Sequence, residues 1–87
     1  TEQGEDILAG YLHVSRARML VRIGDYRGAA EDLESGYGTM QRLDYPPLRS
    51  AYEAACAEAW LGVGDDARAR RHALAALAAM QSTRSTE

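Results

Sequence analysis

Apolar residues recur every three or four positions along four stretches of this chain, and each stretch ends at a turn signal. Over residues 7–23 the positions Leu8, Tyr11, Leu12, Ser15, Met19 and Ile23 fall on one side of a helical wheel. This is the mark of an amphipathic helix. Gly24 follows, a residue that accepts the left-handed conformation that ends a helix at little cost. Asp25 is next, placed to cap a second helix over 26–43 by accepting from its free amides. Gly28, Gly36 and Gly38 each weaken that helix by roughly 1 kcal/mol against alanine, so Gly36 at least is expected where helices approach closely. Asp44, Tyr45, Pro46 and Pro47 break the pattern. Proline suits the first turn of the next helix, which is predicted over 47–63. Gly64 and Asp65 repeat the stop and cap, and a fourth helix is predicted over 66–81. Residues 1–4 and 82–87 are predicted to fray.

The two halves match at an offset of forty residues. Gly24-Asp25 recurs as Gly64-Asp65, Ala17 as Ala57, Leu20 as Trp60, Ile23 as Val63, and Met40-Gln41 as Met80-Gln81. A period of this length signals stacked supersecondary units. The fold read from the pattern is therefore all-α. It has two antiparallel helix pairs, one over about 5–43 and one over about 47–81, stacked as a short solenoid in a single domain covering 1–87. Trp60, the only tryptophan, reads as an anchor of the core.

Composition narrows the function. A chain of 87 residues is one domain. At that size burial is limited and stability modest. Alanine dominates the 46% hydrophobic share, so each packed side chain buries little area. Net charge is −3, which argues against a basic nucleic-acid face. No apolar run reaches the ~20 residues of a membrane span. The single Cys56 cannot form an internal disulfide, and no signal peptide is visible, so a cytoplasmic setting is expected. The basic residues are all Arg, as in proteins of GC-rich bacteria, and the chain opens at Thr1 without Met, as a piece of something longer would.

The paired units resemble tetratricopeptide (TPR) repeats. Those repeats carry a small residue in the first helix, a large one three later, a Gly-Asp-Tyr turn, then small and large residues four apart. Here the first unit has Ala17, Leu20, Gly24-Asp25-Tyr26, Ala29, Leu33 and Gly36; the second has Ala57, Trp60, Gly64-Asp65, Ala69, Ala73 and Ala76. The forty-residue period exceeds the usual ~34. In that respect, and in phrases such as Arg16-Ala17-Arg18, Ala30-Glu31-Asp32-Leu33 and Arg68-Ala69-Arg70-Arg71, the chain is similar to the helical-repeat region of large ATP-binding LuxR-type transcription regulators of actinobacteria. The resemblance implies a regulatory or assembly segment without the nucleotide-binding or DNA-binding domains. The Lys/Asn clamp of chaperone-binding repeats is not recognisable.

Candidate chemistry is thin. His13, His72 and Cys56 lie on three different predicted helices without metal-ligand spacing. They read as two partly exposed surface histidines and a small buried thiol. No set of acid, base and nucleophile converges, so the chain is read as no enzyme, with no cofactor and no metal. Glu31, Asp32 and Glu34 form an acidic cluster and Arg68, Arg70 and Arg71 a basic one at matching positions; solvated faces are the favoured reading. Two surfaces remain. The first is a groove formed by Tyr11, Val14, Ser15, Arg18 and Arg22 with Ala54, Ala55, Glu58 and Leu61, where Arg18 and Arg22 would read a carboxylate. The second is a self-association face of Ala73, Leu74, Ala76, Leu77 and Met80 on the last helix, left uncapped as a solenoid end. The expected role is protein–protein interaction or oligomerisation, by a two-fold dimer or with the rest of a larger parent. The alternative is a sensor of a peptide or small effector through the groove.

Overall fold

The computed structural model describes residues 2–84, and among them the chain forms four α-helices and no strand: α1 (Glu2–Arg22), α2 (Tyr26–Arg42), α3 (Pro46–Val63) and α4 (Asp66–Arg84). The all-α fold read from the apolar pattern is the one observed. Two ends differ from expectation. Helix α1 begins at Glu2, so Gly4 is helical, and α4 continues to Arg84. The predicted tail from residue 85 onward, and Thr1, lie outside the described residues.

The two inner turns are built alike. Gly24 and Gly64 have φ of 89° and 99°, the left-handed region that favours glycine. In the first turn Gly24 N donates to Val21 O and Asp25 N to Leu20 O; in the second Gly64 N donates to Leu61 O and Asp65 N to Trp60 O. These paired bonds satisfy carbonyls that the ending helix leaves free. Each aspartate then caps the next helix. Asp25 Oδ1 accepts from Gly28 N at 3.0 Å and Asp65 Oδ1 from Arg68 N at 3.1 Å. Between α2 and α3 the break is made differently. Tyr45 precedes α3 with no side-chain cap, the prolines occupy its first turn, and Arg49 donates to Gln41 O at 2.7 Å, tying α3 back to α2.

Helices α1 and α2 form one hairpin, α3 lies against both, and α4 packs on α3. The core is a single cluster that includes Val14, Ala17, Ala29, Ala30, Leu33, Met40, Leu48, Tyr52, Ala55, Cys56 and Ala59. Five of these eleven are alanines, so helices sit close and bury little per residue. Gly36 is one cause of the closeness: a Cβ there would come within 2.8 Å of His13 and of the Tyr52 hydroxyl. Tyr52, fully buried, donates its hydroxyl to Leu33 O across the α2–α3 contact. Trp60 is only partly buried at the edge of this cluster, with the Arg68 guanidinium 4.5 Å from its ring centroid. The anchors are thus Tyr52, Leu33, Met40 and Leu48, and not the tryptophan.

The apolar stripe of α1 faces the other way from the core. Leu8, Leu12, Met19 and Ile23 are 62%, 59%, 65% and 77% exposed. The buried side of α1 carries Gly10, Val14 and Ala17. Gly10 is needed there because a Cβ would come within 2.6 Å of the Leu48 side chain, while Leu20 at the other end of α1 packs half-buried against the core.

Candidate functional site

Each hairpin holds one histidine–carboxylate pair between its two helices. In the first, His13 on α1 meets Asp32 on α2, with Nδ1 to Oδ1 at 3.2 Å. Arg16, one turn further along α1, grips the same carboxylate with two bonds of 2.9 and 3.1 Å. Partial burial by itself would raise the Asp32 carboxyl, but hydrogen bonds from Arg16 and His13 outweigh it and hold Asp32 below the usual carboxylate range. The Arg16 guanidinium is correspondingly raised by that bond.

In the second hairpin the partners exchange places. Glu53 on α3 stands forty residues after His13, and His72 on α4 forty after Asp32. Glu53 Oε1 lies 2.6 Å from His72 Nδ1. Its Oε2 accepts from the Tyr37 hydroxyl at 2.6 Å. The Glu53 side chain is 2% exposed and His72 15%. Burial and the Glu53 bond push the Tyr37 phenol above its ordinary value. The ring of Tyr37 also meets His72 edge-on at 5.3 Å. Through this clip α2, α3 and α4 are joined in the interior.

Cys56 lies one turn beyond Glu53. Glu53, Cys56 and His72 each place a ligand atom within 4.8 Å of the others. His72 and Cys56, on different helices and without ligand spacing in the sequence, are brought together by the fold through Glu53. The geometry fits a closed clip better than a metal centre. Both Glu53 oxygens already have partners, so a cation would displace the His72 or the Tyr37 bond. Burial first, then the neighbouring Glu53, pushes the Cys56 thiol up to about 12. Such a thiol is a packed side chain and no nucleophile. Neither histidine is an idle surface residue: both are partly buried and both hold a carboxylate.

The predicted groove is assembled in part. Arg18, Val21 and Arg22 of α1 face Ala54, Ala55 and Glu58 of α3 around an open depression of about 380 Å³. Val14 is absent from it because it is 4% exposed and belongs to the core. Tyr11 and Ser15 are exposed further along α1. Leu61 lines a different depression, about 580 Å³, between α3 and α4 with Ala57, Ala69 and Ala73. The acidic and basic clusters also divide. Asp32 is taken by the first clip, while Glu34 shares one depression with Arg68 and Arg71.

The predicted self-association face needs one correction. Leu74, Leu77 and Met80 are 60%, 53% and 51% exposed, and Ala73 is exposed beside them. Ala76 is 7% exposed, on the side of α4 that packs on α3 together with Ala69 and Ala79. A bulky residue at 76 would therefore break the hairpin before it tested any association.

No family model, no curated protein and no solved structure matches this chain. What the geometry defines is a class: a pair of helical hairpins with an alanine-rich core, a histidine–carboxylate clip in each hairpin and large apolar side chains on the outside. Among the described residues, no helix is long and apolar enough to cross a membrane.

Proposed function

We propose that this chain is a non-catalytic interaction module made of two TPR-like helical repeats, and that it works by binding protein. The observation that carries this is an inversion of size. On the outer helices α1 and α4 the buried positions are Gly10, Val14, Ala17, Ala69, Ala76 and Ala79, while Leu8, Leu12, Met19, Ile23, Leu74, Leu77 and Met80 are exposed. Apolar patches of this kind, when contiguous, mark interaction sites. The repeat reading is supported by the turns, caps and polar clips that recur at one offset. A regulatory or assembly segment of a bacterial transcription regulator is the role that fits the sequence resemblance. A second reading, a sensor for a peptide or small effector, is favoured by the depression holding Arg18, Arg22 and Glu58.

Site-specific photocrosslinking in cells separates the two. A benzophenone side chain placed at Leu12 or at Leu77 is expected to give protein adducts identified by mass. The same group at exposed Arg42 is expected to give none. Adducts formed only from position 54 would favour the groove reading. Adducts from no position would sink both.

A further inference from the structure

Inside the chain, α3 docks on the first hairpin through Leu48, Tyr52, Ala55 and Ala59, which are 0%, 0%, 5% and 0% exposed. Forty residues earlier stand Leu8, Leu12, Ser15 and Met19 on α1, and these are the exposed stripe. The first hairpin's share of the core that α3 completes includes Ala17, Ala29 and Leu33, and Leu33 O accepts from the Tyr52 hydroxyl of α3. Forty residues later stand Ala57, Ala69 and Ala73, and these line the open depression between α3 and α4. The chain thus carries a second version of its docking face at one end and a second version of its receiving face at the other. Among the described residues, no other element covers the α1 stripe, and the α3–α4 depression is open.

We propose that the occupant is a second copy of this chain, joined end to end: the α1 stripe of one copy seats in the α3–α4 depression of the next. This rests on the interaction-module reading above. Charge supports the choice of partner. Arg18 and Glu58 occupy the same position of the two hairpins with opposite signs, and they line one depression within the chain. Glu31 and Arg71 are likewise equivalent and opposite. Carried across a junction between copies, the same order brings Glu58 of one copy beside the turn of α1 that carries Arg18 of the next. At this position sign then alternates along the stack; Asp66 and Arg70 also line the receiving depression. A stack of this kind uses two different faces, so it does not close on itself as a two-fold dimer would.

The test is molar mass of the full chain by light scattering from micromolar to millimolar concentration. The expected result is a weight-average mass that climbs from 9.5 kDa and passes the dimer without a plateau. Two surface variants sharpen it. Leu12→Arg removes the docking stripe and Leu61→Arg blocks the receiving depression; both residues are about three-fifths exposed (59% and 62%), so folding is not at stake, which circular dichroism checks. Each variant alone is expected to stay monomeric. Their equimolar mixture retains one intact junction and is expected to stop at twice the chain mass. A parent that is monomeric throughout overturns the proposal, as does a parent that halts at a dimer, or a single variant that still dimerises. If the parent is monomeric while crosslinks at Leu12 or Leu77 capture a different protein, the second copy is excluded and the interaction-module reading stands. Absence of both signals ends both.

Discussion

The two polar clips occupy equivalent places in the two hairpins yet solve their electrostatics differently. The first, His13 with Asp32, sits near solvent, and its third member is Arg16, whose side chain is 60% exposed. The second, Glu53 with His72, sits inside, and its third member is the neutral hydroxyl of Tyr37. At the position where the first hairpin carries Arg16 the second carries Cys56. Near water a full charge can complete the clip at small desolvation cost. In the interior a guanidinium would be expensive to bury, and a phenol supplies the same hydrogen bond without it. The slot accepts an imidazole and a carboxylate in either order; depth decides what may stand beside them.

Substitutions break this comparison in order of effect. Glu53→Ala strands both the Tyr37 hydroxyl and His72 and leaves a void. It is expected to cost about 2–5 kcal/mol in urea denaturation, from two hydrogen-bonding groups left unmet at about 1–3 kcal/mol each. Asp32→Ala at the equivalent clip is expected to cost a fraction of that, because its partners return to water. Equal losses would mean that depth is not what distinguishes the clips. Next comes Tyr37→Phe, which leaves Glu53 Oε2 without its donor inside the protein; a loss of about 1–3 kcal/mol is expected. The denaturation slope should be unchanged. The smallest effect is acid sensitivity. The Asp32 carboxyl is held below its ordinary value of 3.8 in the folded chain. Its contribution is therefore fully present above that value and is lost as pH falls through 3.8 and then through the lower folded value. The stability difference between the parent and Asp32→Asn should be flat above about pH 5 and shrink below about pH 4. A difference that stays constant down to about pH 3 would show that Asp32 is not the group responsible.

The four helices were legible because Gly24-Asp25 and Gly64-Asp65 punctuate the chain, and because glycine and aspartate there have a backbone job that few other residues do as well. The burial of α1 was not. Size and hydrophobicity favour Leu8, Leu12 and Met19 as core, and only the tightness of the α1–α3 approach, set by residues such as Gly10 and Leu48, turns them outward. The groove was half legible: Arg18, Arg22, Ala54, Ala55 and Glu58 do share one depression, whereas Val14 and Leu61 fall elsewhere for want of a sequence signal for helix rotation. The clips were missed because each pair spans a turn, so neither partner looks unusual on its own helix. A signal did exist. At the forty-residue offset His13 matches a glutamate and Asp32 matches a histidine, so an acid and an imidazole exchange places in concert.

The cross-helix side-chain bonds described above join residues only 8 to 19 positions apart. Local contacts of that kind shorten the search that precedes folding, because little loop-closure entropy has to be lost before a contact forms. Either hairpin has the means to form first, each with its own turn, cap and clip, and to serve as the template on which the other condenses. Refolding on the microsecond-to-millisecond scale of helical bundles follows from that economy of distance.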